Sequence, residues 1–253
     1  MVQGLTEFIP VSSSGHLVFF QSLFGLEEPQ LFFDVMLHLG TLLAVVIFLR
    51  QDIWKIIAGT VATLRGRNRE REQTRLLLWV VFASIPTGLM GVLLKPWIEP
   101  LFSKPRFVGF MLLFTGVFLW FTRWASKEGR TLEKMKWTHP VLIGIAQGIA
   151  ILPGISRSGA TLSTALYCGM ERELAGKFSF LLSIPVILGA TLLEIRKIGT
   201  MGDLSPTLLG TAAAFVVGIL SLKFLMKIIK MGRISVFSYY CWGMGVLTVL
   251  LAK

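Results

Sequence analysis

The apolar positions of the chain fall into long blocks. Six of them run roughly 33–49, 76–94, 107–122, 177–195, 207–226 and 235–252. Each approaches the ~20 residues that an α-helix needs to cross a ~30 Å hydrocarbon layer, the shorter ones with help from flanking anchors or local thinning. The pattern predicts six transmembrane helices. Two further apolar regions, 3–26 and 139–170, are interrupted in the middle. Pro10-Val11-Ser12-Ser13-Ser14-Gly15-His16 divides the first, and Pro153-Gly154-Ile155-Ser156-Arg157-Ser158-Gly159 divides the second. Lipid offers no partner to free backbone N–H and C=O groups, so a helix broken at that depth must be buried against protein. Both regions therefore predict re-entrant helix–loop–helix segments.

The two interrupted regions match each other at a constant offset of 144 residues. Gln3-Gly4-Leu5 aligns with Gln147-Gly148-Ile149, and Ser12-Ser13-Ser14-Gly15 with Ser156-Arg157-Ser158-Gly159. A Phe-rich helix start follows each, Phe32-Phe33-Asp34 and Phe178-Ser179-Phe180. Broken helices in matching halves point to an internal repeat with a site at its interface. The expected fold is an all-α polytopic integral membrane protein with an inverted-topology repeat. Residues 1–122 form the first repeat, 123–138 a cytoplasmic linker and 139–253 the second repeat.

Composition agrees with a membrane protein and removes other classes. Charged residues make up 15% of the chain, against about 25% in soluble proteins, and the mean hydropathy is +0.71. A soluble enzyme, a nucleic-acid-binding domain and a disordered chain are all excluded. The net charge of +11 resides in short loops. With the loop at 50–75 taken as cytoplasmic, 18 of the 25 Lys and Arg fall inside and six outside, leaving Arg157 at depth. That is the bias of the positive-inside rule. The same topology opens the first break outward and the second inward, so the halves are inverted. The Arg65–Arg75 run reads as a solvated loop near anionic headgroups. Cys168 and Cys241 have neither CxxC nor metal spacing. No cleavable signal is expected, and the missing apolar lead-in before Gln3 points to a chain that is truncated or started late.

Polarity concentrates at the breaks. An ionisable side chain at membrane depth costs about 3 kcal/mol or more unless paired, so Glu7, His16 and Arg157 are functional candidates that could neutralise one another. Gln3 and Glu7 stand i, i+4 on one helix face. Such a pair suits a hard cation, Mg²⁺ or Ca²⁺, once phosphate oxygens complete the shell; a plain polar pair has the same spacing. Serines before a resumed helix suit an anion, because free N–H groups and the helix dipole favour negative charge. N-capping uses one serine per break. It does not explain the others, nor an arginine whose planar fork fits phosphate. A phosphate site lined by Gln3, Ser12, Ser14, Gly15, Ser156, Ser158, Gly159 and Thr161 is expected. His16, three residues after Ser13, is placed to act as its base or to protonate a leaving group. His38 reads as structural, paired with Asp34, and His139 as interfacial. Glu194 reads as a partner for Arg196 or Lys197.

Three passages resemble a known family: Gln3-Gly4-Leu5-Thr6-Glu7-Phe8, Val11-Ser12-Ser13-Ser14-Gly15-His16 and Pro153-Gly154-Ile155-Ser156-Arg157-Ser158-Gly159-Ala160-Thr161, supported by Phe33–Gly40. The family is the undecaprenyl-diphosphate phosphatases of the bacitracin-resistance type, and the resemblance runs over essentially the whole chain. It implies an integral membrane hydrolase that removes the terminal phosphate of undecaprenyl diphosphate. The monophosphate carrier returns to peptidoglycan synthesis, cell-wall biogenesis and cell shape, and raised activity gives bacitracin resistance. It also implies catalytic roles for Glu7, Ser13, His16 and Arg157. Gln3 occupies a position where the family has Glu or Gln, which leaves this motif one carboxylate.

In the expected mechanism the diphosphate enters where the two breaks meet, and the polyprenyl tail lies along apolar helix surface. Arg157, backbone amides and a divalent cation near Glu7 and Gln3 neutralise its charge. Ser13 attacks with His16 as proton acceptor or donor, or a water positioned by Glu7 attacks instead. The expected location is the bacterial inner membrane, with the site facing the periplasm. Expected partners are the polyprenyl diphosphate and anionic lipids at the cytoplasmic face, with no nucleic acid; monomer and homodimer both stay open. The rival reading is a lipid-phosphate flippase or secondary transporter using the same anion pocket.

Overall fold

The apolar blocks fold as helices, and those at 76–94 and 207–226 overrun the hydrophobic stretch at both ends. The computed structural model describes residues 1–24, 31–66, 71–125, 129–195 and 204–251. Its helices are α1 (Val2–Thr6), α2 (Ser13–Phe24), α3 (Leu31–Phe48), α4 (Arg50–Leu64), α5 (Arg71–Ile98), α6 (Pro105–Trp120), α7 (Thr138–Ile149), α8 (Arg157–Tyr167), α9 (Arg172–Ile195), α10 (Leu204–Lys230) and α11 (Phe237–Leu251). Five of these regions are long and apolar enough to cross a membrane, and α3 with α4 makes a sixth if the bent pair counts as one. The protein is an all-α, multi-pass membrane protein, as the hydropathy pattern predicts.

Three boundaries differ from the sequence reading. Residues 50–64, expected within a loop, form α4, which turns 68° away from α3. Arg50, Gln51, Asp52 and Lys55 break up the apolar run there and hide a helical repeat: Ile56 and Gly59 are buried, while Trp54, Ile57, Val61 and Leu64 form an exposed stripe. Helix α9 starts at Arg172, so Phe178 lies inside it rather than at its start. Helices α5 and α10 reach 28 and 27 residues, because their charged end turns continue past the apolar layer that hydropathy detects.

Both interrupted regions are helix–break–helix. Their arms have 5, 12, 12 and 11 residues, less than about 20 Å each at 1.5 Å per residue and too short to cross alone. Each first arm packs on a long helix from the other half of the chain, α1 on α10 and α7 on α5. Thr87 of α5 donates to the Gly144 carbonyl of α7 at 2.8 Å and accepts from Gln147 at 3.1 Å. Helices α6 and α11 pack against each other along an extensive interface. At Gly109 and Gly245 a Cβ would lie 2.9 Å from the other glycine's carbonyl oxygen, so only hydrogen lets these backbones approach.

The basic segments gather at one end. Lys177 bonds Asp52 at 3.0 Å and Glu173 at 3.5 Å, and Glu173 binds Lys230 at 2.9 Å. Arg75 donates to the Glu133 carbonyl at 3.1 Å. The segment after residue 128 is tied down as well: Arg130 N–H bonds Gly169 O at 2.7 Å, and Leu132 and Met135 are buried. The segments 50–75 and 123–138, expected above to be cytoplasmic, thus meet Lys177, Glu173 and Lys230 at the same end of the bundle.

Candidate active site

The two breaks share one pattern of serine hydrogen bonds. Ser12 Oγ accepts from Gly15 N–H at 3.2 Å and shares a proton with Ser14 Oγ at 3.2 Å. Ser156 Oγ accepts from Gly159 N–H at 3.1 Å and shares a proton with Ser158 Oγ at 3.2 Å. Ser12 and Ser156 each cap the helix that follows. A side chain from the α6/α11 pair also donates to an equivalent carbonyl in each break. Thr115 of α6 donates to Gly154 O at 3.0 Å and accepts from Ser156 N–H at 3.2 Å. Cys241 of α11 donates to Pro10 O at 3.5 Å. The breaks touch where Gly154 N–H meets Ser14 Oγ at 3.5 Å. Ser12 holds φ at +67°, a conformation that non-glycine residues adopt mainly where the surroundings enforce it.

Glu7 is the hub. It follows α1 and is 7% exposed. Its Oε1 accepts from Arg157 Nη2 at 2.7 Å, and its Oε2 accepts from Ser13 Oγ at 2.8 Å and Gln3 Nε2 at 2.9 Å. A buried carboxylate is tolerated because a cation and two donors replace its water. Arg157 makes that single guanidinium hydrogen bond among the described residues, so most of its five donors stay free for an anion. Ser13 and Arg157 are the first residues of α2 and α8, and both helix starts therefore meet at the carboxylate.

His16 stands apart from this hub. Its Nδ1 lies 2.8 Å from Ser12 O and its Nε2 2.7 Å from Tyr240 Oη, so the hydroxyl of Ser13 goes to Glu7 and not to the imidazole. Thr161 is committed to Ser179 Oγ at 2.5 Å and to Arg157 O at 2.9 Å. Ser12 and Ser156 are buried caps and Ser158 is buried beside the second, whereas Ser13, Ser14, Gln3 and Arg157 keep partial exposure.

Sequence reasoning passed over four residues. His38 is not paired with the Asp34 carboxylate. Its Nδ1 bonds the Asp34 backbone carbonyl at 2.8 Å, and its Nε2 faces Glu7 Oε2 at 4.0 Å. The expectation of function for ionisable groups at depth applied to His38 as much as to His16. Thr115, Tyr240 and Cys241 sit in apolar helices and carry no sequence signal of their own.

A divalent cation fits only in part. Among the described residues no three His, Cys, Asp or Glu side chains converge, and Glu7 already has three donors. Mg²⁺ is often held by one carboxylate together with substrate phosphates, so Glu7 and the Gln3 amide oxygen suit a cation that arrives with a phosphate.

Fold and site define a class: a multi-pass helical membrane protein with a buried Glu–Ser–Arg cluster where two helix breaks meet. The profile of the family described as Bacitracin resistance protein BacA matches residues 1–247, and the chain belongs to that family. A protein of Desulforapulum autotrophicum named undecaprenyl-diphosphatase is 42% identical over 262 residues, covering 99% of this chain and 95% of the relative. One of Desulfosudis oleivorans with the same name is 46% identical over 260 residues, covering 98% and 94%. Another, of Methanosphaera stadtmanae, is 40% identical over 262 residues, covering 99% and 95%.

Proposed function

We infer that the chain is an undecaprenyl-diphosphatase, hydrolysing undecaprenyl diphosphate to undecaprenyl phosphate and phosphate. The observation that carries this reading is the single buried carboxylate shared by a hydroxyl and a guanidinium, Ser13–Glu7–Arg157. The names of the relatives agree with it, and they do not favour the flippase reading.

Phosphoryl transfer needs positioning and charge neutralisation more than covalent help. Arg157 supplies unused donors to the phosphate oxygens, and the α2 and α8 starts add their N–H groups and dipoles. Ser13 Oγ attacks the terminal phosphorus while its proton passes along the existing hydrogen bond to Glu7. The bridging P–O bond breaks and undecaprenyl phosphate leaves. Water then attacks the phosphoserine, phosphate departs, and Ser13 recovers its proton from Glu7. Glu7 and Gln3 would hold a divalent cation, which supplies further charge neutralisation when bound. All these groups come from one chain, so the reading requires no second subunit.

Residues 1–122 and 139–253 serve as inverted repeats joined by the cytoplasmic segment 123–138. The matched caps and carbonyl braces support this division. The gathered basic segments support a cytoplasmic end in the bacterial inner membrane, with the first break facing the periplasm. At that basic end a groove of about 520 Å³ is lined by Phe48, Lys223, Met226, Lys227, Lys230 and Met231, and it suits an anionic lipid headgroup.

Rapid quench of purified protein given labelled substrate tests the reaction: label on Ser13 is expected. Full turnover by Ser13→Ala would reject Ser13 as nucleophile, and absence of phosphate release by the unaltered protein would reject the enzyme reading.

A further inference from the structure

His38 brings an uncommitted imidazole nitrogen to the cluster. A carbonyl only accepts, so the contact of Nδ1 with Asp34 O at 2.8 Å puts the proton of the neutral ring on Nδ1. Nε2 then carries a lone pair, and among the described residues no donor takes it up. It faces Glu7 Oε2 at 4.0 Å, the same oxygen that accepts from Ser13 Oγ at 2.8 Å. Imidazole and nucleophile are therefore neighbours of one carboxylate oxygen. His16 offers no such nitrogen, because its Nδ1 bonds Ser12 O and its Nε2 already accepts from Tyr240.

Two acceptors 4.0 Å apart make no direct hydrogen bond, but one water can reach both. In the resting site Glu7 Oε2 is taken up by Ser13 and Gln3. Formation of the phosphoserine changes this, because the Ser13 proton has moved onto Glu7 and Ser13 no longer donates. Glu7 then stands beside the ester as an acid, its proton due to return to the leaving Ser13 Oγ. It cannot also take a proton from the incoming water. The second transfer needs another base, and that base needs an outlet: the His38 side chain is 41% exposed, against 6% for Glu7.

We propose that His38 is the catalytic base of the second transfer, holding the hydrolytic water between its Nε2 and Glu7 Oε2. A water proton passes to Nε2 as the water oxygen bonds the phosphorus and the Ser13 Oγ–P bond breaks. Ser13 Oγ regains its proton from Glu7, phosphate departs, and the imidazolium releases one proton to solvent. The proposal rests on Ser13 as nucleophile.

The test is His38→Gln, which keeps much of the bulk but supplies no nitrogen able to take a proton, with His38→Ala as the second variant. Both are assayed in preparations that keep the unfolding temperature of the unaltered protein. A base that serves only the second transfer leaves kcat/KM, which reports steps up to departure of the first product, unchanged. The expected result is a kcat lower by about 100-fold, the scale of losing a general base, with kcat/KM within about twofold. A burst of undecaprenyl phosphate should precede inorganic phosphate, and labelled phosphoserine should accumulate. Unaltered turnover by either variant would overturn the proposal. So would equal slowing of both products without phosphoserine, the result expected if His38 held a cation or merely braced Glu7. Ser13→Ala separates the failures: turnover by that variant rejects the nucleophile itself, whereas an inactive Ser13→Ala beside a burst-free His38→Gln rejects only the role of His38.

Discussion

Arg157 Nη2 donates to Glu7 Oε1 across 2.7 Å, joining side chains 150 residues apart. Neither charge would be stable alone at that depth, so the bond both holds the two breaks together and keeps a guanidinium beside the proposed phosphate site. Arg157→Lys keeps the charge and loses the planar fork. Phosphate release by the purified variant is expected to fall about 100-fold or more, the scale of losing a preorganised transition-state donor. Near-normal turnover would remove Arg157 from the anion site. Glu7→Ala should be less stable than Glu7→Gln in thermal unfolding, because it leaves the guanidinium without an acceptor.

Thr115 predicts a different kind of loss. It accepts from one backbone group of the second break and donates to another. Thr115→Val leaves both buried groups unpaired, at about 1–3 kcal/mol each, while Thr115→Ser keeps the hydroxyl. Activity and unfolding temperature in detergent should drop for the valine variant and hold for the serine variant. Gly154→Ala should be worse than either, since φ is +96° and the new Cβ would lie 2.4 Å from Val108 O.

Orientation is open to chemical labelling. In a background with Cys168→Ser, Lys104→Cys should react with a membrane-impermeant maleimide applied to intact cells, whereas Arg65→Cys should react only after lysis. Both positions are exposed, so protection reports the membrane and not burial. Reversed labelling would place the first break toward the cytoplasm.

The groove at the basic end predicts dependence on lipid charge. Lys223 and Lys227 are exposed beside the apolar Met226 and Phe48. Anionic phospholipid should raise the unfolding temperature of the detergent-solubilised protein more than a zwitterionic lipid does, and salt should weaken the difference. Lys223→Gln/Lys227→Gln should abolish the difference and leave phosphate release intact. An unchanged lipid response would place anionic lipid elsewhere.

The sequence by itself determined the elements that depend on transfer from water to lipid. Apolar blocks of membrane length became helices, and Pro10 and Pro153 with their serine runs became breaks, because lipid punishes unpaired backbone wherever it occurs. Residues 50–64 escaped that logic: Arg50, Asp52 and Lys55 lower the local hydropathy, although the helix beneath them buries only a narrow face. Glu7, Ser13 and Arg157 were legible as candidates because polarity at depth is costly whatever the fold. Their partners were not. Ser13 reaches Glu7 across the break, six residues away, whereas the turn of His16 to Tyr240 and the bracing of the two breaks by Thr115 and Cys241 depend on helices far apart in the chain. Spacing along a helix orders only neighbours three or four residues away; which more distant groups meet was decided by how the helices pack, as where Gly109 and Gly245 let α6 and α11 touch.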